Sequence, residues 1–247
     1  MMERDLPEGL SADRLPEHVA FIMDGNGRWA KKRVMNRVKG HEKGAGAVRQ
    51  VVETCTKFGI PYLTLYAFST ENWQRPKKEV DALMGLLTRF LRNERKKLVK
   101  NGVRLTAIGE IDRLPEEVRH ELDLTMEETR SNARLTLCLA LSYGSRSEMV
   151  AMVQKIAEGV KEGRIDAASV DEEMVSQHLF TREIPDPDLV IRTSGEMRLS
   201  NFLLWQSAYS EIFFTDTLWP DFTESEFASI LKDYQGRERR FGKVLQP

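Results

Sequence analysis

His18-Val19-Ala20-Phe21-Ile22-Met23 runs directly into Asp24-Gly25-Asn26-Gly27, and Arg28-Trp29-Ala30-Lys31-Lys32 follows. The extended, largely apolar run predicts a buried strand, the two glycines a tight loop, and the helix formers after them a helix from Arg28. The same order recurs outward along the chain. Residues 46–58 have helical periodicity closed by Gly59, and 62–68 form a β-rich run ending at Ser69-Thr70-Glu71-Asn72. Further strands are expected at 104–108, 135–141 and 189–191, and further helices at 80–100, 115–130, 147–162, 171–178 and 224–234. Strands alternating with helices imply an α/β fold whose parallel sheet is covered on both faces.

The bulk composition narrows the function. A chain of 247 residues with 41% hydrophobic content suits one large domain better than two small ones. Thirty-seven basic against 38 acidic side chains give a net charge of -1, which argues against a dedicated nucleic-acid binder and leaves anion binding to local clusters. Cys55 and Cys138 sit in apolar segments with no metal-ligand spacing around them, so they read as buried hydrophobes in a reducing compartment. No apolar run approaches the roughly 20 residues of a membrane-spanning helix, and Met1-Met2-Glu3-Arg4-Asp5 lacks the layout of a secretory signal, so a cytoplasmic protein is expected. The run Arg237-Glu238-Arg239-Arg240 reads as a solvated helix end.

Open parallel sheets bind ligands at the carboxyl ends of their strands, and three such ends carry chemistry. After the first strand, glycines let backbone N–H groups approach an anion and Arg28 adds charge-assisted bonds, which suits a diphosphate. Asp24 beside such a ligand makes sense if a divalent cation lies between them, because Mg²⁺ typically takes one or two carboxylates plus substrate phosphates. The alternative is a tight turn with Asp24 capping the helix. After the last clear strand, Arg192 and Arg198 flank a turn with Ser200 close by, a set able to present two guanidinium groups and a hydroxyl to a second phosphate, or else a pair of surface arginines. His41 alone reads as a structural hydrogen-bonder, and Glu211 as a strand-edge charge or a second metal carboxylate. The stripe Leu83, Leu86, Leu87 and Leu91, and the run Phe202-Leu203-Leu204-Trp205, fit a core or the wall of an apolar tunnel equally well.

Taken together, residues 18–30, Tyr66 to Pro76, Ile191 to Gln206, Asp216 to Phe222 and Arg237 to Gly242 resemble the bacterial cis-prenyltransferases, undecaprenyl diphosphate synthases in particular, over nearly the whole chain. The resemblance implies a single α/β domain with a central, mostly parallel six-stranded sheet flanked by helices and an apolar tunnel, with 1–17 as an N-terminal extension and 18–247 as the catalytic domain. It implies condensation of isopentenyl diphosphate onto an allylic diphosphate such as farnesyl diphosphate, with Mg²⁺, in a homodimer whose product passes to the membrane, possession of a nucleic-acid partner not being expected. Asp24 would hold Mg²⁺ and assist departure of the allylic diphosphate. Gly25, Asn26, Gly27, Arg28, Arg37 and His41 would line that diphosphate's site, with Trp29 beside the prenyl chain. Ser69, Thr70, Glu71, Trp73 and Arg75 would complete the substrate wall. Asn72 matches the residue assigned as proton acceptor, although an amide is a poor base and positioning is its expected role. Arg192, Arg198, Leu199 and Ser200 would hold isopentenyl diphosphate, Glu211 would be a second Mg²⁺ ligand supplied across the dimer, and Leu135 would lie near the closed end of the tunnel.

The chain departs from the family pattern in two loops. Ser194 stands where a glycine is usual, and Ser142-Tyr143-Gly144-Ser145-Arg146 replaces Asn-Tyr-Gly-Gly-Arg, so strain is expected wherever these serines need a positive φ. Met197 replaces a histidine found in some relatives, and a thioether is a poor Mg²⁺ ligand. A shorter-chain synthase and a silent subunit are the alternatives kept open. A nucleotide-binding enzyme is disfavoured because Gly25-Asn26-Gly27 lacks the remaining elements of either phosphate-loop fingerprint.

Overall fold

Every strand anticipated from an apolar run forms, and a sixth joins them from Glu211. In the computed structural model, residues 5–237 are described. The strands are β1 (His18–Ile22), β2 (Tyr62–Ser69), β3 (Val103–Ile108), β4 (Leu135–Tyr143), β5 (Leu189–Arg192) and β6 (Glu211–Phe214). They order as β3-β4-β2-β1-β5-β6, and every pairing is parallel, so the sheet is wholly rather than mostly parallel among the described residues. The helices are α1 (Asn26–Lys32), α2 (Arg37–Phe58), α3 (Lys77–Lys100), α4 (Glu116–Thr129), α5 (Ser145–Lys161), α6 (Glu172–His178) and α7 (Glu224–Gly236). Of the charged tail 237–240, only Arg237 lies within the described residues.

Alternation along the strands sorts the core into two faces. Val19, Phe21, Leu63, Leu65 and the β4 residues Leu135, Leu137, Leu139 and Leu141 point into the main core with α2, α3, α4 and α7. Ala20, Ile22, Cys138, Ala140 and Val190 point the other way, against Phe202 and Leu203. Phe21 anchors the first face through edge contacts with Trp219, Phe222 and Phe227, with ring centroids 5.4–5.6 Å apart. Each such pair adds roughly 0.5–1.5 kcal/mol beyond area burial. Cys55 and Cys138 are buried and free, as small apolar residues would be. The N-terminal segment is stapled to α7, where Ser11 N–H donates to Gln235 Oε1 at 3.0 Å and Gln235 Nε2 returns a bond to Ser11 O at 2.7 Å.

His18 begins β1 fully buried, with Nδ1 2.6 Å from Pro185 O and Nε2 2.8 Å from Thr64 Oγ1. Burial pushes its pKa down to about 4, so it is a neutral cross-link between three segments at neutral pH.

Most boundaries differ from the sequence reading by one to three residues, and the start of the second helix by nine. The first helix starts at Asn26, inside the glycine pair, and the second starts at Arg37 rather than Gly46. Two of the glycines within 37–46 serve packing. An added Cβ at Gly40 would lie 2.0 Å from Asn26 O, and one at Gly44 would lie 2.3 Å from Asn26 Oδ1. Bare backbone on α2 therefore lets α1 and the preceding loop settle against it. Asn36 caps α2 by accepting from Lys39 N–H at 3.0 Å.

Helix propensity and packing make opposite forecasts here. Gly40→Ala is expected to destabilise by about 1–3 kcal/mol through overpacking. Gly46→Ala, where nothing lies within 4 Å, is expected to stabilise by about 0.5–1 kcal/mol. Urea unfolding of both variants checks the pair, and the same sign at both positions would contradict this packing account.

Candidate active site

The parallel register sets Ile22 beside Arg192, so the residues just beyond β1 and the end of β5 meet at one edge of the sheet. Arg192 is only 3% exposed. Its Nη2 donates to Asp24 Oδ2 at 2.9 Å and its Nη1 to Ser200 Oγ at 2.6 Å and to the Arg198 carbonyl. Its Nε is buried with no partner. A buried guanidinium with an unused donor is a costly arrangement that an arriving anion relieves.

Asp24 is held by three donors. Gly25 N–H reaches Oδ1 at 2.6 Å, and Arg28 Nη2 reaches Oδ2 at 3.2 Å beside Arg192. Burial alone would raise the carboxyl's pKa, but the Arg192 hydrogen bond, the Gly25 N–H and the charges of both arginines outweigh it and hold it below the ordinary range. Asp24 is thus a carboxylate at neutral pH. Gly25 has φ +109°, and an added Cβ there would press within about 3 Å of Leu218 and Ser194, which is why this loop position takes no side chain.

Arg28 also donates to the Ser194 carbonyl at 3.0 Å, to the Ser194 hydroxyl and to Glu196 Oε1 at 2.9 Å. Glu196 in turn pairs with Arg198, whose side chain is mostly exposed. The two arginines of the turn are therefore not side by side: Arg192 is buried against Asp24, and Arg198 stands outside on Glu196. The turn itself is strained. Ser194, Ser200, Asn201 and Leu203 all have positive φ, each costing roughly 1–2 kcal/mol for a residue with a side chain. Ser142 shares this strain at φ +47°, whereas Ser145 does not, its hydroxyl instead accepting from Leu204 N–H at 3.0 Å. Such concentrations of strain mark functional loops.

Beneath the turn lies a buried polar network. Glu148 accepts from Tyr143 Oη at 2.5 Å, Gln206 Nε2 at 3.1 Å and Phe180 N–H at 2.8 Å, and burial raises its pKa. Tyr143 packs edge-on to Phe202, which stacks on Tyr66 at 4.4 Å. This assembly ties residues 199–206 to the ends of β2 and β4.

Two cavities meet at this edge. A polar basin of about 500 Å³ is lined by Asp24, Glu71, Asn72, Arg75, Arg192 and Ser200 among others. An apolar cavity of about 180 Å³ runs below it between the sheet and the helices, walled by Leu65, Leu139, Val48, Leu83, Leu87 and Phe90. Met23, Tyr66, Asn72 and Arg75 border both. A bulge in the β2–β4 ladder after Tyr66 lies at this border: Tyr66 keeps the face opposite Leu63 and Leu65, and the shift turns Phe68 back into the main core. The ambiguous apolar stripes are thereby resolved: Leu83, Leu86 and Leu87 line the cavity, Leu91 is core, and Phe202 and Leu203 are core on the other face.

The remaining expected site residues divide. Asn26 and His41 line the apolar cavity's upper end, and Asn26 Oδ1 is buried without a partner. Burial, helped by the Arg75 charge, lowers the His41 pKa to about 4, so its ring is neutral at pH 7. Ser69 and Glu71 reach the basin, where Glu71 accepts from Asn201 Nδ2 at 2.9 Å. Asn72 Oδ1 accepts from Ser69 N–H at 3.2 Å, capping the turn Thr70–Gln74. Gly27 approaches Arg37, whose side chain pairs with Glu79 at 3.4 Å, and Glu79 also holds Arg75 at 3.1 Å. Thr70 packs against Gly144.

Gly25, Gly27, Arg28, Arg37, Thr70 and Arg198 line neither cavity, and Trp29, Trp73, Leu199 and Glu211 fall outside both as well. Trp29 packs with Ala30 and Leu218, donates to Asp221 at 2.7 Å and lies under Arg33. Trp73 donates to Ser142 Oγ at 2.9 Å. Glu211 starts β6 opposite Leu189, at the far end of the strands from Asp24, and pairs with Arg237. Within one chain it is not brought to Asp24, and among the described residues no three acidic, His or Cys side chains converge. Sequence reasoning gave no role to Tyr66, Glu196 or Asn201. The signal for Tyr66 was its place one residue pair before the strand end, and for the other two their place between Arg192 and the next strand.

The comparisons agree with this architecture. A family model described as "Putative undecaprenyl diphosphate synthase" matches residues 22–242. An isoprenyl transferase of Heliobacterium mobile is 52% identical over 98% of this chain and 93% of its own, and one of Porphyromonas gingivalis is 50% identical over 99% and 96%. Among solved structures, lavandulyl diphosphate synthase from Lavandula x intermedia in complex with dimethylallyl diphosphate superposes with a TM-score of 0.91 at 37% identity, covering 94% of this chain and all of its own. A probable undecaprenyl diphosphate synthase from Campylobacter jejuni does so at 0.76 and 38%, covering 92% and 99%. The fold is that of an α/β prenyltransferase. The chain belongs to the undecaprenyl diphosphate synthase family of isoprenyl transferases.

Arg192→Lys keeps the charge but loses the fork that spans Asp24 and Ser200. The Asp24 carboxyl, followed by ¹³C NMR, is expected to titrate higher than in the parent. A depressed folded pKa contributes stability above the unfolded value that is lost as pH falls through the folded one, so acid unfolding should begin at higher pH in this variant. An unchanged titration would assign Asp24's ionisation to Gly25 and Arg28 instead.

Proposed function

We propose that this chain adds isopentenyl diphosphate units in cis onto an allylic diphosphate, farnesyl diphosphate in the first instance, to make a long polyprenyl diphosphate. Undecaprenyl diphosphate, the lipid-carrier precursor of cell-wall synthesis, is the product that fits the family best, and residues 18–247 form the catalytic unit. The observation that carries this reading is the continuity of an anion-seeking basin with an apolar cavity across the wall formed by Met23, Tyr66, Asn72 and Arg75. A substrate with a charged head and a hydrocarbon tail satisfies both halves at once. The dimethylallyl diphosphate in complex with the lavender relative supports an allylic diphosphate as ligand.

The donors then have distinct tasks. Arg28 and the backbone beside Gly25 receive the allylic diphosphate, and they stabilise the charge that grows on it as its bond to the allylic carbon breaks. Arg192, with its unused Nε, and Ser200 orient isopentenyl diphosphate, whose double bond attacks the carbon left electron-poor. Asn72, its Oδ1 engaged by Ser69 N–H, acts by positioning through its amide N–H rather than as a base, so the departing proton passes to a diphosphate oxygen. Asp24 fits Mg²⁺, being an ionised carboxylate open to a basin that also takes phosphates, and there the ion would add charge neutralisation of the leaving diphosphate. Glu211 would contribute only from a second copy in a homodimer. The apolar cavity, about 180 Å³, is below the roughly 300–1,000 Å³ of a pre-formed ligand pocket, so a long product requires it to widen. Leu135 shares the face of Leu139 about 13 Å deeper along β4, which supports its place at the tunnel floor.

Incubation with farnesyl diphosphate and labelled isopentenyl diphosphate, followed by mass analysis of extracted lipid, tests the reading. A ladder reaching undecaprenyl length that disappears with EDTA is expected. Asp24→Ala should lower turnover on the order of 10²–10³-fold, and Leu135→Ala should lengthen the products. Full turnover by Asp24→Ala, or an EDTA-resistant ladder, would remove Asp24 and Mg²⁺ from the mechanism.

A further inference from the structure

The loop between α1 and α2 exposes an apolar pair. Val34 is 96% exposed and Met35 49% exposed. Val34 also has φ +56°, a conformation that β-branched residues rarely adopt. The tip is nevertheless fixed, because Arg33, Val34 and Met35 N–H groups all bond back to carbonyls of Ala30 and Lys31 at 2.9–3.1 Å. A strained valine held rigidly in water gains nothing from burial within the chain, and strain retained at the surface points to a contact made elsewhere.

The surroundings identify that contact. Residues 30–41 contain Lys31, Lys32, Arg33, Arg37 and Lys39 and no carboxylate, in a chain whose overall charge is -1. Arg33, Arg37 and Lys39 face Asp221, Glu79 and Glu42 from neighbouring positions. Lys31 and Lys32 are exposed, and none of the described ion pairs engages them. Two apolar side chains are far too few for a stable protein interface. An apolar tip ringed by lysines does suit the headgroup layer of an anionic bilayer, which rewards shallow insertion and positive charge together. The loop leads straight into α2, whose His41, Ala45 and Val48 line the apolar cavity.

We infer that the 31–39 loop docks the protein on an anionic phospholipid surface, with Val34 and Met35 entering the headgroup region and Lys31 and Lys32 meeting lipid phosphates. The inference rests on the proposed function only for its purpose, the hand-over of a water-insoluble product.

The test is co-sedimentation of the full chain, without substrate, with vesicles of phosphatidylcholine alone or mixed with phosphatidylglycerol. Binding confined to the mixed vesicles and weakened by salt is expected. Lys31→Ala/Lys32→Ala should weaken it roughly thirtyfold, and Val34→Asp/Met35→Asp roughly tenfold or more. Val34→Gly, which relieves the strained backbone, should fold at least as well as the parent and still bind less. Turnover without vesicles should stay unchanged in all of these variants. Absent binding, equal binding by parent and variants, or a change in oligomeric state of Val34→Asp/Met35→Asp would overturn the inference. Vesicle binding by a protein that makes no polyprenyl product would instead defeat the proposed function and leave the docking surface standing.

Discussion

The ion pair between Asp24 and Arg192, 2.9 Å long, joins the ends of two neighbouring strands and fixes almost everything around it. It keeps Asp24 ionised and neutralises a guanidinium that would otherwise be buried alone, a combination that is strongly destabilised when either partner is lost. It also places the Asp24 loop and the 193–203 turn on opposite sides of one basin. The turn's strain is tolerable because Arg192, Arg28 and the Glu148 network hold it at three separate points. A loop with this many left-handed residues and fewer anchors would relax.

The second constraint is the close approach of α1 and α2. Glycines at 40 and 44 bring the Asn26 backbone to α2, so the N-terminal turn of α1 and the upper end of α2 share one wall of the cavity. The bulge at Tyr66–Phe68 supplies the facing wall. The basin and the apolar cavity are thus adjacent surfaces of the same sheet edge, sharing Met23, Tyr66, Asn72 and Arg75. On the apolar side, helix α3 faces the sheet through Leu83, Leu87 and Phe90, which line the cavity with Leu65 and Leu139.

Much of this was legible in the sequence. The apolar runs at 18–23, 62–68, 104–108, 135–141 and 189–191 declared strands because parallel strands are buried on both faces and need no alternation. The residues after them declared the site because strand ends in such sheets open onto ligand crevices. Other features were hidden for physical reasons. Helix α2 begins nine residues early because Gly40 and Gly44 are chosen for contact with Asn26, a partner that local propensity does not see. Arg192 and Arg198 look equivalent in sequence, yet one is buried on Asp24 and the other is exposed on Glu196, a difference set by strand register. Strain at Ser194 was foreseeable from its glycine-like position, whereas Ser145 escapes strain by starting α5. The in-chain separation of Glu211 from Asp24 was likewise hidden, since it follows from Glu211 opening β6 opposite Leu189, at the other end of the parallel strands.

The central claim is that one ligand spans both compartments, head at the Asp24–Arg192 edge and tail between α3 and the sheet. A crystal structure with an unreactive thiolo-diphosphate analogue of farnesyl diphosphate tests it most directly. The account predicts diphosphate density within hydrogen-bond reach of Arg28 and the Gly25 backbone, and prenyl density between Leu83, Leu87 and Leu139. A tail on the opposite face of the sheet, beside Thr106 and Cys138, or a head group remote from Asp24, would contradict it.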